Sequence, residues 1–414
     1  TIYGLKQAAY AFWRILLQIF ADMKYTRCKA DPCLYFAWTA YGLIIWLSWV
    51  DDCLCCGKRK GVMEAKQQMI ERIDCDDVGE MKEYIGCKID RKGGQLKLTQ
   101  PVLLQSFIDE FDLPNDKSYP STPAEPGSVL MKGDKLSMSV QRKYRSGVGK
   151  LLYLMRWSRP EIMNSVRELS RFMQEASKAH LTAMYRVMKY CVGTPKRGLM
   201  IEPTEFWDGD KKFEFTISGR SDSDFAKDII SHRSDSGCST FLCGAPVSIR
   251  SKMQDCVTLS VTEAELVAAT QCAQDMLFVM RVLESMDLKV KKPMILEVDN
   301  KGAKDLAHNW SIGGRTRHVD VKYHFLRELK ENGIILVKWI SQEDNSSDLF
   351  TKNLASTTFE KHAKIYCSDE DIESQSFQGE GVRGASTACR ATGTNEIDHM
   401  PGGIDHMPGG IDHM

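Results

Sequence analysis

The chain has 414 residues, enough for two or three domains that each bury a hydrophobic core. Its 43% hydrophobic and 27% charged residues are typical of a globular protein, and no apolar run reaches the roughly 18 residues that a membrane-spanning helix requires. A formal net charge of zero argues against nucleic-acid binding through overall charge, and the 14 cysteines lack the paired C-x-x-C spacing of a structural zinc site.

The first part of the sequence predicts two hairpins between helices. Its predicted elements are helices at 5–24, 58–73 and 103–111 and strands at 43–50, 53–56, 84–89 and 95–98. Asp51 and Asp52 lie at the tip of the first hairpin. Gly93 and Gly94 supply the turn of the second, because glycine adopts turn conformations at little steric cost. These elements predict a small domain with an acidic hairpin tip.

A proline-rich segment separates this part from three basic helices. Residues 114–140 contain four prolines among glycines and serines, which predicts a connecting segment. The helices are predicted at 144–155, 162–173 and 180–190. From residue 142 to residue 197 the sequence has thirteen Lys or Arg and three Glu. A solvated helix face usually mixes both signs, so we predict that this basic surface contacts a phosphate backbone.

The second half predicts a mixed α/β domain of about 140 residues. Phe213, Phe215 and Ile217 alternate as in a strand. The later elements are strands at 238–242, 246–250, 294–298 and 334–340, helices at 262–286 and 301–308, and a final helix that starts near Asn345. The fold class is therefore α+β or α/β with several domains.

Four acidic residues lie at the ends of these predicted elements: Asp222, Glu265, Asp299 and Asp348. Each one alone is compatible with a solvated carboxylate. Gathered carboxylates repel one another unless a cation neutralises them. Together they would form an oxygen site for two divalent metal ions, an arrangement used for phosphodiester hydrolysis.

The sequence after Ser368 predicts disorder. Its apolar content falls, and Ile-Asp-His-Met occurs three times with Pro-Gly-Gly spacers. Such a segment cannot bury enough apolar surface to fold.

Short motifs follow one another in order along residues 1–365. In the first part they are Tyr3-Gly4-Leu5-Lys6-Gln7-Ala8, Asp31-Pro32-Cys33-Leu34-Tyr35 and Val50-Asp51-Asp52. In the basic region they are Tyr144-Arg145-Ser146-Gly147-Val148-Gly149, Ser158-Arg159-Pro160-Glu161-Ile162 and Leu169-Ser170-Arg171-Phe172-Met173. In the second half they are Ser221-Asp222-Ser223-Asp224-Phe225-Ala226, Ser260-Val261-Thr262-Glu263-Ala264-Glu265, Asp299-Asn300, Arg315-Thr316-Arg317-His318-Val319-Asp320 and Ser347-Asp348-Leu349-Phe350-Thr351-Lys352. Together they resemble the reverse transcriptase and RNase H region of copia-type LTR retrotransposon polyproteins.

The resemblance implies a domain order. A partial reverse-transcriptase palm and thumb would occupy residues 1–113, followed by a linker at 114–143 and a basic helical connection at 144–200. An RNase H-like mixed-sheet domain would occupy 213–355, and the disordered repeat tail 368–414.

The resemblance also implies roles for polymerase residues. Asp51 would bind a catalytic metal, with Asp52 as its inequivalent neighbour, because successive strand side chains point to opposite faces. Lys6 and Gln7 would lie near the incoming nucleotide or the template, and Gly86 near the primer terminus.

In the nuclease half, the four acids would hold two Mg²⁺ or Mn²⁺ ions and hydrolyse the RNA strand of an RNA/DNA hybrid. Asp224 would be a further carboxylate nearby. His318 would assist product release or proton transfer, or would be a loop histidine held by a local hydrogen bond. Arg145, Arg159 and Arg171 would contact nucleic acid.

The chain departs from the family pattern in two places. Trp49 stands where the family usually has Tyr. The polymerase also needs an aspartate upstream of Tyr3, which this sequence does not contain, so we expect the RNase H part to be more active than the polymerase. A decayed remnant that catalyses nothing and a nucleic-acid-binding module built on the basic helices are the alternatives.

The expected partners are an RNA/DNA hybrid, a template–primer and, for a completed polymerase, dNTPs, with no membrane. The resemblance implies cytoplasmic virus-like particles with a later nuclear stage.

Overall fold

The structure is a computed structural model that describes residues 6–50, 52–113, 118–308, 317–372 and 384–391. The first part contains α1 (Lys6–Asp22), β1 (Thr26–Arg27), β2 (Leu34–Thr39), β3 (Gly42–Trp49), β4 (Asp52–Lys58), α2 (Arg59–Ile70) and β5 (Cys75–Glu80). The predicted hairpin is confirmed, because β3 and β4 pair antiparallel up to Trp49 and Asp52.

The middle of the chain contains a small antiparallel sheet and a helical group. Its elements are β6 (Glu83–Tyr84), β7 (Cys87–Lys92), β8 (Gln95–Thr99), α3 (Pro101–Phe111), α4 (Met138–Trp157), α5 (Met163–Ser170), α6 (Lys178–Gly193) and β9 (Gly198–Ile201). The predicted hairpin between β7 and β8 and the three predicted helices are confirmed, with a 3-10 turn at Pro160–Ile162 before α5. Tyr144, Val148 and Leu151 of α4 are fully buried in the core of the helical group.

The remaining elements form the predicted mixed α/β part, and the last strand joins the first sheet. They are β10 (Glu214–Phe215), β11 (Ile217–Asp224), β12 (Asp235–Leu242), β13 (Ala245–Met253), α7 (Val261–Ser285), β14 (Lys289–Val290), β15 (Met294–Val298), α8 (Lys301–His308), α9 (Arg317–Glu331), β16 (Ile335–Trp339), α10 (Ser356–Ala363), β17 (Cys367–Ser368) and β18 (Gly384–Ala391). Two 3-10 turns, Gln342–Asp344 and Ser346–Phe350, lie between β16 and α10. The observed architecture is α+β with several sheets, as expected from the sequence.

The five-stranded mixed sheet positions the acidic residues. Its strand order is β13-β12-β11-β15-β16, with β11, β12 and β13 antiparallel and β11, β15 and β16 parallel. The carboxyl ends of parallel strands meet at one edge of a sheet. Asp222, near the end of β11, and Asp299, directly after β15, therefore lie at the same edge.

Helix α7 covers one face of this sheet and forms its core. Cys272, Ala273 and Met276 are fully buried in a cluster that includes Ile217 and Leu296 of the sheet. Full burial of a side chain as large as that of Met276 stabilises the fold by about 1.5–3 kcal/mol. Among the described residues α7 alone is long and apolar enough to cross a membrane, but 67% of its apolar window is buried inside the protein. We therefore interpret it as a core helix.

Three elements depart from the sequence predictions. The final helix expected near Asn345 is instead the short 3-10 turn Ser346–Phe350. Helix α9 was not predicted, although Tyr323, Leu326 and Leu329 are buried at helical spacing. The prediction of disorder over 368–414 is wrong for β18, which lies between β4 and β5 and pairs with both. An uncovered edge of β4 would leave a row of backbone groups unpaired, and β18 supplies their partners. The repeats after Ala391 lie outside the described residues.

Candidate active site

Asp222 lies on the central strand of the mixed sheet with 1% of its surface exposed. It pairs with Gly237 across β11 and β12. A Cβ atom on Gly237 would lie 2.8 Å from the Ser347 carbonyl oxygen and 2.9 Å from the Phe350 Cβ. The glycine therefore allows the turn Ser346–Phe350 to pack directly on the strand that carries Asp222.

We predict that Gly237→Ala displaces this turn. A side chain in this space forces the turn outward and lowers the free energy of unfolding by about 1–3 kcal/mol. Urea unfolding measures the loss. Gly149→Ala is the control, since a Cβ at Gly149 meets no atom within 4 Å and the residue lies inside α4. Equal stability of Gly237→Ala and the unmodified protein would contradict the packing argument.

Glu265 enters the site from the first turns of α7. The helix begins after Ser260, whose side chain accepts a hydrogen bond of 3.2 Å from the Glu263 amide. The Oε1 atom of Glu265 accepts hydrogen bonds from the Ser223 amide at 3.1 Å and the Ser223 hydroxyl at 2.9 Å. Its Oε2 atom is buried and has no hydrogen-bond partner among the described residues. This oxygen is held in place and available for a ligand.

Asp299 completes a group of three carboxylates. It follows β15, and its carbonyl oxygen accepts a hydrogen bond of 3.0 Å from Trp339 Nε1. One carboxylate oxygen from each of Asp222, Glu265 and Asp299 lies within 4.8 Å of the others. Oxygens at this spacing can bind one divalent cation, and an unpartnered buried oxygen costs about 1–3 kcal/mol without one. The residues present therefore fit a divalent metal ion.

Asp348 lies next to Asp222, in the turn Ser346–Phe350. Asn345 fixes this turn, because its side chain donates to the Ser221 carbonyl at 2.9 Å and accepts from the Ser347 amide at 3.2 Å. Asp348 and Asp222 are bridged by the Lys352 ammonium, which lies 2.8 Å from Asp348 Oδ1 and 3.1 Å from Asp222 Oδ1. The structure thus brings all four predicted acids together, while their catalytic role stays a prediction.

Two residues of this arrangement received no role from the sequence. Lys352 bridges the two aspartates, and the Thr351 hydroxyl donates to Asp222 Oδ2. The spacing of Lys352, four residues after Asp348, was a possible signal, because such pairs lie on one face of a helical turn.

Burial and mutual repulsion keep these acids from ionising easily. Burial and the nearby Asp222 and Asp299 raise the pKa of Glu265 from 4.5 to about 9. Burial and Asp222 raise the pKa of Asp348 from 3.8 to about 8, and the same two causes raise the pKa of Asp299. Burial lowers the pKa of Lys352, but Asp222 and Asp348 outweigh it and hold that pKa well above its ordinary value.

These shifts predict that metal binding releases protons. A divalent ion needs the ionised Glu265 carboxylate, and with a pKa of about 9 this group is protonated at neutral pH. We expect affinity for Mn²⁺ to rise from pH 7 to pH 9, with about one proton released per ion at the lower pH. Calorimetry in buffers of different ionisation enthalpy measures the release. Affinity that falls over this range would contradict the assignment.

Two further candidates lie apart from the cluster. The Asp224 carboxylate forms an ion pair of 3.3 Å with Lys227 and does not belong to the group of three carboxylates. His318 lies in the first turn of α9, and its side chain falls outside the described residues.

Comparison with known proteins finds similar sequences. The family described as reverse transcriptase (RNA-dependent DNA polymerase) matches residues 1–126. The retrovirus-related Pol polyprotein from transposon TNT 1-94 of Nicotiana tabacum is 32% identical over 371 residues, which are 87% of this chain and 27% of that protein. The chain is thus similar, over most of its length, to retrotransposon Pol polyproteins with a reverse transcriptase. The Pol polyprotein from transposon RE1 of Arabidopsis thaliana is also similar, at 27% identity over 88% of this chain and 24% of its own length.

The chain spans about a quarter of the length of these curated relatives. Among solved structures, LC11-RNase H1 isolated from compost matches 35% of this chain and 96% of its own, with 14% identity and a TM-score of 0.27. A TM-score this low does not support a fold assignment. The resemblance to copia-type Pol polyproteins is confirmed by the sequence relatives.

The candidate polymerase residues predicted from the sequence lie on three elements. Lys6 and Gln7 begin α1, and Gln7 is exposed. Asp52 begins β4, and Asp51 lies outside the described residues. Gly86, with φ of 63°, forms the turn before β7. Burial raises the pKa of Tyr84 to about 12 and the Asp52 carboxylate adds to this, so Asp52 and the turn at Gly86 are neighbours.

Many residues of the predicted basic surface form ion pairs within the protein. Arg159 is 1% exposed, pairs with Glu161 at 2.6 Å and donates to the Thr194 carbonyl at 3.1 Å. Arg171 pairs with Glu168 and Asp228. Arg145 is exposed and donates to the Met173 carbonyl at 2.8 Å. The prediction of nucleic-acid contact is therefore wrong for Arg159, because a buried guanidinium cannot reach a phosphate.

Proposed function

We propose that residues 213–355 form a ribonuclease H that hydrolyses the RNA strand of RNA/DNA hybrids with Mg²⁺ or Mn²⁺. The observation that carries this proposal is the group Asp222, Glu265 and Asp299, with a buried Glu265 oxygen that has no partner among the described residues. Such hard oxygen ligands suit these ions. The ordered motifs shared with copia-type RNase H support the same assignment.

The site residues would divide between two ions. Asp222, Glu265 and Asp299 would hold the first, and Asp222 with Asp348 would hold the second. When bound, Mg²⁺ or Mn²⁺ would lower the pKa of water for attack on phosphorus and neutralise charge at the leaving 3′ oxygen.

The protein's own groups hold these ligands in position. Ser223 fixes Glu265 through two hydrogen bonds, and Asn345 fixes the turn that carries Asp348. Recognition of the 2′-hydroxyl would distinguish the RNA strand from the DNA strand.

We further propose that residues 1–113 are part of a reverse-transcriptase palm and thumb, followed by the linker 114–143 and the helical connection 144–200. Asp51, Asp52, Lys6, Gln7 and Gly86 would serve template, primer and dNTPs there. The nuclease is the activity that we assign to residues 213–355, in the context of cytoplasmic virus-like particles with a nuclear stage.

A remnant that binds nucleic acid without cutting it is the second candidate. The substitution at Trp49 and the repetitive tail favour it, whereas the four assembled acids oppose it. A binding module built on the basic helices is less well supported, because Arg159 and Arg197 are buried in ion pairs with Glu161 and Glu360.

The test is cleavage of a hybrid whose strands carry different labels, with duplex DNA and duplex RNA as parallel substrates. We expect metal-dependent cutting of the RNA strand of the hybrid alone, and loss of cutting in Asp222→Asn. Hybrid binding by a folded protein without any cutting would reject the nuclease and favour the binding remnant.

A further inference from the structure

Lys352 lies where a second metal ion would bind. Its ammonium is 2.8 Å from Asp348 Oδ1 and 3.1 Å from Asp222 Oδ1, so it bridges the two carboxylates that would form the second site. An ion bound to the same oxygens at about 2.1 Å would occupy nearly the same point. The ammonium and the ion cannot share that space, because both are positive and no gap separates them.

The carboxylates of Glu265 and Asp348, the two neighbours of Asp222, differ in whether they already have a partner. On the side of Glu265, the buried Oε2 atom has no hydrogen-bond partner among the described residues. On the side of Asp348, a cation of the protein already neutralises both carboxylates. Each carboxylate oxygen has two lone-pair sites, so Asp222 can accept from Lys352 and still bind an ion beside Glu265.

The lysine is anchored at its backbone, and its side chain is more exposed than the carboxylates that it bridges. Its amide donates to the Asp348 carbonyl at 3.0 Å, and the preceding Thr351 is fully buried. The Lys352 side chain is 28% exposed, whereas those of Asp222 and Asp348 are 1% and 6% exposed. The ammonium can therefore withdraw toward solvent while the carboxylates stay in place.

We propose that Lys352 is a built-in cation that occupies the second metal position. With Lys352 in this position, the protein holds one divalent ion, at Asp222, Glu265 and Asp299. A second ion enters between Asp222 and Asp348 only when Lys352 withdraws. This inference deepens the proposed nuclease function and rests on it.

The test counts bound ions and does not depend on activity. Free Mn²⁺ is measured by electron paramagnetic resonance during titration of the full chain and its variants. We expect one ion at low Mn²⁺ for the unmodified protein and for Lys352→Arg, which keeps the charge. Lys352→Met is expected to bind two ions, with the second held about tenfold or more tightly than in the unmodified protein.

Two further variants control this experiment. Lys361→Met removes a lysine of the same region that pairs with Asp344 at 2.9 Å outside the cluster, and it is expected to bind one ion. The double variant Lys352→Met/Asp348→Asn loses a ligand of the second position and is expected to return to one ion.

Stability provides the second readout. Removing the lysine leaves Asp222 and Asp348 without their cation, so Lys352→Met is expected to unfold at a lower temperature without metal and to gain more from Mn²⁺ than the unmodified protein. A Lys352→Met protein that stays unfolded in saturating Mn²⁺ would contradict the proposal.

The outcomes separate this inference from the proposed function. One ion in both the unmodified protein and Lys352→Met, or two equally tight ions in both, would overturn the role of Lys352 and leave the nuclease assignment standing. If neither the unmodified protein nor Glu265→Gln binds an ion, the assignment of the metal site is wrong. The inference about Lys352 is then wrong as well.

Discussion

Glu265→Gln is expected to abolish cleavage of the hybrid while leaving the metal-free protein folded. The glutamate is almost fully buried, and its pKa of about 9 keeps it protonated at neutral pH when no ion is bound. Glutamine has the same shape as the protonated acid but cannot supply a negative oxygen. Loss of a metal ligand removes several kcal/mol of transition-state stabilisation, so we expect the rate to fall by about 10³-fold or more.

The same substitution has a defined effect on stability. An unfolded glutamate titrates near 4.5, whereas the folded metal-free protein holds this proton up to about pH 9. The folded protein therefore loses stability as pH rises from 4.5 toward 9. Glutamine does not titrate, so the Glu265→Gln variant does not lose stability in this way. We expect its free energy of unfolding at pH 8 to exceed that of the unmodified protein by on the order of 2 kcal/mol.

Cleavage rates and urea unfolding at pH 5 and pH 8 measure both effects. The matched control is Glu263→Gln on the same helix, whose carboxylate accepts from the Leu259 amide at 2.6 Å outside the cluster. The control is expected to keep cleavage within a few-fold of the unmodified rate. Normal cleavage by Glu265→Gln would remove this residue from the site.

Arg159→Met is expected to destabilise the whole protein. The guanidinium is 1% exposed, donates to Glu161 and to the Thr194 carbonyl and hydroxyl, and lies 5.4 Å from the Tyr190 ring centroid. Removing one partner of a buried ion pair leaves the other charge uncompensated, which costs about 3–5 kcal/mol. We expect a loss of this size in the free energy of unfolding.

Urea unfolding of Arg159→Met and Arg156→Met tests this expectation. Arg156 is exposed in the last turn of α4, so its substitution is expected to change stability by less than about 0.5 kcal/mol. The double variant Arg159→Met/Glu161→Leu is expected to recover part of the loss, because no buried charge remains unpaired. Equal unfolding midpoints for Arg159→Met and Arg156→Met would show that the buried pair does not support the fold.

Local patterns predicted the elements that carry the site. Alternating apolar residues placed a strand before Asp222, and the apolar run before Asp299 placed a second one. Both strands were expected to end near an acid, and the sheet brings those ends together. Elements defined by their own periodicity could therefore be predicted from the sequence.

Long-range partners could not be predicted in this way. The excess of basic residues around Arg159 suggested an exposed surface that binds nucleic acid. The Arg159 guanidinium is instead buried against its partners Glu161 and Thr194. Composition alone does not show which charges meet across a core. The same limit applies to Lys352, whose position between Asp222 and Asp348 depends on packing of a turn against Gly237.

The most direct measurement of the central claim is the anomalous scattering of Mn²⁺ in crystals of the protein. The account predicts an ion at about 2.1 Å from oxygens of Asp222, Glu265 and Asp299, and none there in Glu265→Gln. Mn²⁺ bound only at other sites, or no ion at saturating concentration, would contradict the assignment of this cluster as a metal-dependent nuclease site.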